Sequence, residues 1–529
     1  MKNIKKIYVL LACTGYLATG CNKSLLNTEP HDRYTEETFW RTPEAAAAGL
    51  VSCYSVLRND GMYGGKGSNN ATALWDETLS PNAYNQTDSY SFNTVASGAV
   101  SSSTGGIVVN RYKDAYTGVG RCNTLLDRVD GVPGMDPAAV RKMKGEARFL
   151  RGLYYFTLAS YYGGVPLILE APDNDKHGKL PRTARELVVK QVIEDLDSAA
   201  NMLPVKYTGG DIGRATKGAA MALKARVLLY EASDLFNTTK ENAKWAAAAA
   251  AAKAVMDLSG TGYDLFTDYR SLFYQANENN KEVIFDVQYL FPKQGSSFDL
   301  ICTQYNTNAP LLDLANTYYM KSTGLPISNP ASGYDPAKPY EGRDPRLTGT
   351  FTFPGDIYKG AKIDNKRFAI TGYGMKKYSL YDSIAPPKDK ADLKDGQSEI
   401  NFIVLRFADI LLMYAEAQNE AAGPDGTVYT ALNRLRDRIG MPHFPAGLSK
   451  EEMRQEIRHE RRVELAGEGL YYNDIRRWKA AEIVMNANIL KYDGTFIEKR
   501  VFNADRNYLW PIPQTEKDLN PNLEQNPNY

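Results

Sequence analysis

Cysteine and histidine are scarce in this chain, at five and four among 529 residues. Cys13 and Cys21 belong to the N-terminal leader, which leaves Cys53, Cys122 and Cys302, far apart and odd in number. That pattern excludes a disulfide framework and a CxxC zinc or redox site, and predicts three small buried apolar residues. His31, His177, His443 and His459 are isolated, and there is no HExxH, no GxSxG and no EF-hand spacing. Gly64-Gly65-Lys66-Gly67-Ser68 lacks the spacing of a phosphate-binding loop. Charge of one sign is missing too: 63 Lys+Arg face 62 Asp+Glu, so no global field draws the chain to nucleic acid or an anionic membrane. Past the leader, no stretch reaches the roughly 18 consecutive apolar residues of a membrane-spanning helix. A glycosidase needs two carboxylates about 5–10 Å apart, and among 62 acidic residues no pair stands out. The residues therefore point to no enzyme, no cofactor and no metal.

What is present begins with the leader. Lys2, Lys5 and Lys6 precede a mostly apolar run, Ile7 to Leu17, and then Ala18-Thr19-Gly20-Cys21. A basic start, a short apolar run and small residues before a cut make a secretory signal. A cysteine directly after it reads as a lipobox, whose thiol is acylated with palmitate-type chains. The run is shorter than the about 20 residues needed to span a bilayer, so the chain is expected to be exported and tethered. Residues 1–20 are the signal peptide, residues 21–34 a lipidated tether, and residues 35–529 one domain.

Tyrosine is abundant, at 35 against 18 Phe and 5 Trp; its flat apolar face and polar tip suit wet contact surfaces. Thr35 is expected to open a first helix that runs to Leu57. Residues 59–109 then lose helical periodicity and turn rich in Gly, Asn, Ser, Thr and Tyr, and a loop of that length with embedded aromatics reads as functional. Asp136-Pro137 caps a helix whose apolar residues recur every three or four positions to Tyr161, and Gly163-Gly164 with Pro166 stop it. Thr183 to Glu186 and Ser449 to Glu452 read as capping boxes. Another helix starts near Thr216, Ala246 to Ala252 form a closely packed one, and Arg406 to Ala422 pairs with Thr427 to Ile439. Glu282 to Tyr289 is the good strand candidate in an irregular middle. Helix pairs at quasi-regular intervals suggest a solenoid-like stack without a strict period.

Several segments, in order, resemble the SusD/RagB family of outer-membrane nutrient-binding lipoproteins. They are Phe39-Trp40-Arg-Thr-Pro-Glu-Ala-Ala, Arg111-Tyr112 to Leu126, and Gly145-Glu-Ala-Arg-Phe-Leu-Arg151 continuing to Tyr162-Gly-Gly-Val-Pro166. Gly213-Arg-Ala-Thr-Lys-Gly-Ala-Ala220, Leu405 to Ala417, Glu460-Arg-Arg-Val-Glu-Leu-Ala466, Arg476-Arg477-Trp478 and Leu509-Trp-Pro-Ile-Pro-Gln514 complete the set, with Asn520 to Tyr529. The resemblance implies an all-α fold: a tetratricopeptide-like helix-pair scaffold with long irregular loops and minor β in a variable ligand-binding region. The scaffold is expected at about 35–58, 110–258 and 402–529, and the variable regions at about 59–109 and 259–401. It also implies a glycan ligand, a SusC-like TonB-dependent transporter as partner, and an outer-membrane location facing the cell exterior. The run after the lipidated cysteine, Asn22 to Asn27, is not the acidic one common in surface-exported lipoproteins. The RagB side of the family leaves peptide capture as an alternative, and a secreted glycosidase is the remaining one.

Sugars offer apolar C–H faces and hydroxyl edges, which flat aromatics and amides match. Two loop segments carry that mixture, so the candidate ligand-binding residues are Trp75, Asn82, Tyr84, Tyr90 and Phe92 in the first, and Tyr289, Phe291, Phe298 and Tyr305 in the second. Leu74-Trp75 followed by Leu79 also fits scaffold packing. Glu146, Arg148, Arg151, Arg406, Asp409, Glu416, Glu460, Arg461, Arg462 and Glu464 read as structural charges that pair across helices, because Glu146 and Arg151 are badly spaced for a local pair.

Overall fold

Side-chain caps start three of the scaffold helices where the sequence places them, at Asp136, Thr216 and Ser449. The computed structural model describes residues 39–65, 71–358, 361–362, 368–379 and 395–529; the leader, Cys21, the tether and the expected helix start at Thr35 lie outside them. Helix α1 (Pro43–Ser55) opens at Thr42, whose hydroxyl accepts from the Ala45 amide at 3.3 Å, with Pro43 in its first turn. After α2 (Ile107–Arg128), α3 (Pro137–Tyr162) opens on Asp136, which accepts from the Ala139 amide at 3.1 Å, and ends at Gly163 with φ 77°. Then come α4 (Arg185–Met202), α5 (Lys217–Ala232, capped by Thr216) and α6 (Asn242–Met256). Helices α7 (Phe407–Ala422), α8 (Gly426–Ile439), α9 (Lys450–Glu464) and α10 (Tyr471–Arg477) follow. The capping box at Ser449 and Glu452 forms in full. The one expected at Thr183 does not: the Thr183 amide donates to the Val165 carbonyl at 3.0 Å in an isolated bridge, so the cap position falls to Ala184.

Each helix packs on the next, from α1 to α7, and α8 and α9 both pack on α7. Close approach is built into the sequence. A methyl at Gly118 on α2 would sit 2.4 Å from the Tyr154 ring on α3, and α6 offers Ala248, Ala249 and Ala252 to its neighbours. Between α6 and α7 the chain leaves the stack over residues 257–401, yet α6 packs directly on α7. Strand β1 (Val283–Val287) pairs antiparallel with β2 (Phe402–Arg406), Val283 opposite Arg406 and Val287 opposite Phe402. This pair closes the base of the excursion. A helix is expected from Arg406, and β2 carries no strand signal, because five consecutive buried residues show no period-two alternation. The fold is mainly helical, with small two-stranded sheets.

Tyrosine does a different job from the one its abundance suggested. Many tyrosines are buried and use the hydroxyl to satisfy a distant backbone carbonyl: Tyr154 on Cys53 at 2.7 Å, Tyr155 on Ile168 at 2.8 Å, Tyr116 on Pro166 at 2.7 Å and Tyr289 on Tyr63 at 2.6 Å. An aromatic body with a polar tip can fill a helix interface and tie its end to a loop. Cys53, Cys122 and Cys302 are free and buried.

The structural charges pair across helices. Glu146 accepts from Tyr54 at 2.8 Å and Arg214 at 3.3 Å, Arg151 holds Asp195 at 2.6 Å, and Arg148 reaches Asp195 at 3.0 Å. The densest network lies at the base of the excursion. Glu464 meets Arg406 at 2.7 Å, Arg438 at 2.6 Å and Arg346 at 3.0 Å. Arg406 also reaches Glu282 and Glu468, each at 2.7 Å. Arg346 pairs with Asp344 at 2.7 Å and with Glu460, Arg436 lies 3.4 Å from Glu460, and Lys377 lies 2.8 Å from Glu468. Five cations and five carboxylates thus balance, all buried or nearly so. Beside them Arg226, Arg461 and Arg477 alternate with Asp409, Asp474 and Glu416.

Burial alone would raise the Glu464 carboxyl, but the guanidiniums of Arg438, Arg406 and Arg346 outweigh it and hold it well below the usual range. Glu460, Glu468 and Glu416 are shifted down by the same contest between burial and neighbouring cations. Burial wins at Asp286, which is pushed up to about 6, and also raises Asp76, Glu77 and Glu146. The raised groups bind protons in the folded state above the ordinary carboxylate value of about 4, so they favour folding as pH falls to it. Below it they are protonated in both states, and only the lowered groups still differ, the unfolded chain binding more protons. Stability is therefore expected to fall steeply with acid below about pH 4. Glu464→Gln should cost about 3–5 kcal/mol at neutral pH by leaving buried cations underpaired, and should flatten that acid limb. Chemical denaturation of both proteins across pH 2–7 reads both effects.

Candidate functional site

The two loop segments singled out in the sequence meet. Ala83 and Tyr84 pair antiparallel with Pro310 and Ala309, and the Gln86 side chain donates to the Tyr305 carbonyl at 3.4 Å. Beneath this junction Trp75 is fully buried, its indole N–H donating to the Thr307 hydroxyl at 2.9 Å, with the rings of Tyr90 and Phe92 each 5.9 Å away. Two arginines hold the first loop from the scaffold side. Arg462 donates to Asn82 Oδ1 at 2.8 Å, and Arg500 to the Ser80 carbonyl at 2.7 Å.

This packing divides the candidate residues. Trp75, Asn82, Phe92, Tyr289 and Phe298 are interior and do not form a ligand-contacting face. Asn82 spends its amide on Glu77 at 2.7 Å and on Arg462. Phe298 packs between Tyr289 at 5.2 Å, Phe402 at 6.1 Å and Tyr378 at 6.2 Å. The residue types that suit a sugar face also anchor a loop, and only burial distinguishes the two roles. Phe291 is 44 % exposed but stands on a separate turn closed by the Leu290–Gln294 bridge. Tyr305, 43 % exposed, and the half-buried Tyr84 and Tyr90 share the junction with the exposed Gln86.

The junction's backbone and amides are unusual. Asp88, Tyr90, Ser91 and Asn306 all have positive φ, 46°, 53°, 62° and 50°. Non-glycine residues held there cost about 1–3 kcal/mol each and cluster at ligand sites. Four buried amide atoms in the same two loops, Asn85 Nδ2, Asn93 Oδ1, Asn306 Oδ1 and Asn308 Oδ1, have no hydrogen-bond partner among the described residues. Burial, then the 3.0 Å hydrogen bond to Asp60, raises the Tyr90 phenol pKa; burial, then the nearby Glu498 charge, raises that of Tyr84. Both therefore remain neutral hydroxyls at physiological pH. The site is an open edge of phenol rings and amides on a fixed base, suited to stacking and hydroxyl recognition. Among the described residues no group of three or more His, Cys, Asp or Glu side chains is placed to hold a metal ion, and no helix is long and apolar enough to cross a membrane. The supports Arg462 and Arg500 were not legible as part of this site, since each acts from more than 300 residues away in sequence.

Comparison with known proteins follows the whole chain. A profile described as the SusD family matches residues 274–529, and one described as starch-binding, associating with outer membrane, matches residues 53–229. SusD-like protein P25 of Formosa agariphila is 25% identical, covering 95% of this chain and 94% of its own. A SusD-like protein of Bacteroides fragilis superposes with a TM-score of 0.79 at 27% identity, over 95% of this chain and 100% of that one. A SusD-like carbohydrate binding protein of the same organism gives 0.79 at 28% identity, over 92% and 100%.

The division between anchor and face is testable by stability. Trp75→Ala should cost about 3–5 kcal/mol by opening a cavity and freeing Thr307, whereas Tyr305→Ala should stay within about 0.5 kcal/mol. Urea denaturation midpoints of the two variants read the difference.

Proposed function

The chain belongs to the SusD/RagB family, and on that premise we propose that it is a glycan-binding lipoprotein of the outer membrane, anchored through Cys21 and facing the cell exterior. It captures oligosaccharide or polysaccharide and passes it to a SusC-like TonB-dependent transporter; the chain binds and does not catalyse. The observation that carries the glycan reading is the convergence of Tyr84, Gln86, Tyr90 and Tyr305 on one open edge. Phenol rings meet the C–H faces of a pyranose, and the surrounding amides meet its hydroxyls. The strand pair and the Trp75–Thr307 hydrogen bond set the edge before ligand arrives, which limits the ordering cost of binding. An open edge of this kind binds weakly, in the millimolar to micromolar range, or about 4–8 kcal/mol.

Calorimetry of the mature chain against a glycan panel and a peptide panel should find a saturable glycan and no peptide. Peptide binding alone would favour the RagB-like reading, and release of shortened sugar would sink the claim of a pure binder. Tyr84→Ala combined with Tyr305→Ala should weaken the identified glycan by about tenfold or more, near 1.4 kcal/mol; unchanged affinity would move the site elsewhere.

Residues 1–20 act on this reading as the export signal, and residues 21–34 as the tether. Multiple acyl chains at Cys21 would hold the protein where one chain binds only marginally. Cys21→Ser should shift the protein from the membrane fraction to the soluble one and abolish labelling by a palmitate analogue.

A further inference from the structure

A second groove, of about 390 Å³, opens between α6, α7 and α9 and reaches Trp478. Among the described residues each charged side chain that lines it is paired, with a single exception. Glu416 is taken by Arg477 at 2.5 Å and accepts from the Trp478 indole at 2.7 Å. Lys240 holds Asp234 at 2.7 Å. Arg454 holds Glu420 at 2.5 Å and also pairs with Glu451, and Lys450 lies 3.7 Å from Glu420. Arg458 is the lining cation with no ion pair of its own; Glu416, already held by Arg477, is the carboxylate that attracts it most, while Arg477 and Arg454 repel it. Its guanidinium lies over the Trp478 ring, 4.7 Å from the centroid, and its buried Nε–H meets no acceptor. With Glu416 assigned to Arg477, Lys240, Lys450, Arg454 and Arg458 face Asp234, Glu420 and Glu451, a surplus of one positive charge.

The surplus is of a particular kind. A guanidinium held over an indole loses freedom of movement, and its planar fork matches a carboxylate through two parallel hydrogen bonds. At the rim stands Trp245, half-buried, which supplies a second indole. The groove lies at the small end of ligand pockets, which run about 300–1,000 Å³, and has room for one or two sugar rings. Its main walls are helices whose backbone groups are bonded internally, so they offer no free edge to an extended peptide.

We infer that this groove binds the carboxylate of an acidic sugar residue, with Arg458 as its charge partner and Trp245 against the ring. The inference rests on the glycan-binding reading and adds a second, charge-selective point of contact apart from the tyrosine edge. An acidic glycan would then be held at two places, and a neutral one at the edge alone.

The test is a titration of tryptophan emission and heat with sodium glucuronate, glucose and sodium acetate at constant ionic strength. Glucuronate should give a saturable response in the millimolar range, glucose none, and acetate a response at least about tenfold weaker. Arg458→Leu should lose glucuronate affinity by tenfold or more, with Arg458→Lys in between, while affinity for a neutral glycan at the tyrosine edge is unchanged. No saturable glucuronate response, an equal response to acetate, or full affinity in Arg458→Leu would overturn the proposal. Should Arg458→Leu fail to fold, Trp245→Ala takes its place: retained glucuronate affinity there overturns the proposal, and its loss supports it. Because the Arg458 variants leave the tyrosine edge intact and Tyr84→Ala with Tyr305→Ala leaves the groove intact, failure of this site and failure of the tyrosine edge give separate signatures.

Discussion

The contact between Arg406 and Glu464 is the constraint on which the rest of the molecule depends. Arg406 ends β2 and immediately precedes α7, so it stands where the chain re-enters the helical stack. Glu464 ends α9, and around this pair gather Glu282 from just before β1, Arg346 from within the excursion and Arg438 from α8. A buried ion pair gains little over an apolar contact, because desolvation offsets the attraction. Its strength is selectivity: an unpaired charge there is so costly that the partners admit one arrangement. The described residues between 257 and 401 carry few long elements of their own, and the network fixes where this part of the chain leaves and rejoins the stack.

That fixed base is what allows the tyrosine edge to be exposed. The segment 82–93 carries only short elements, among them the Ala83–Tyr84 strand and the start of the short helix Phe92–Ala96, and left-handed residues such as Tyr90 and Asn306 cost energy that local contacts must offset. The offset comes from beneath. Trp75 is buried against Tyr90 and Phe92 and bonded to Thr307, and Arg462 and Arg500 reach up from the scaffold. Arg462 follows Glu460 and Arg461 on α9, so one helix carries both the ion network and a prop for the loop. Rigidity therefore passes from the stack to the loop edge through contiguous, named contacts.

How much of this was legible in the sequence depends on how far apart the partners lie. Caps at Asp136 and Ser449 act over three residues, and sequence spacing shows them, while at Thr216 it shows only a nearby helix start. The Thr183 box failed although its spacing was right, because a bridge to Val165, far away in sequence, claimed that residue's backbone first. The charges of the central network could be recognised as paired, but not with whom, since Arg406 meets partners 58 and 124 residues away. At the candidate site the two loops were found by composition. Within them, burial separated Tyr84 and Tyr305 from Trp75 and Phe298, and no property of an aromatic residue type predicts on which side of a loop it falls.

The same ambiguity explains the tyrosine count. A helical stack with long connections has many loop carbonyls lying over helix interfaces, and each buried carbonyl needs a donor. Phenylalanine would fill the interface and leave that carbonyl unpaired, whereas tyrosine fills it and donates. Tyr116 and Tyr155 do this for the segment after α3, at Pro166 and Ile168, while Asn123 donates to Ile168 as well at 2.9 Å. Tyr269 does it for the last turn of α9, at the Glu464 carbonyl, 3.0 Å away. The abundance that suggests a ligand surface is thus in part the cost of pinning long loops to helices. A ligand edge then needs only the few tyrosines whose hydroxyls no carbonyl claims, and Tyr84 and Tyr305 are placed to be among them.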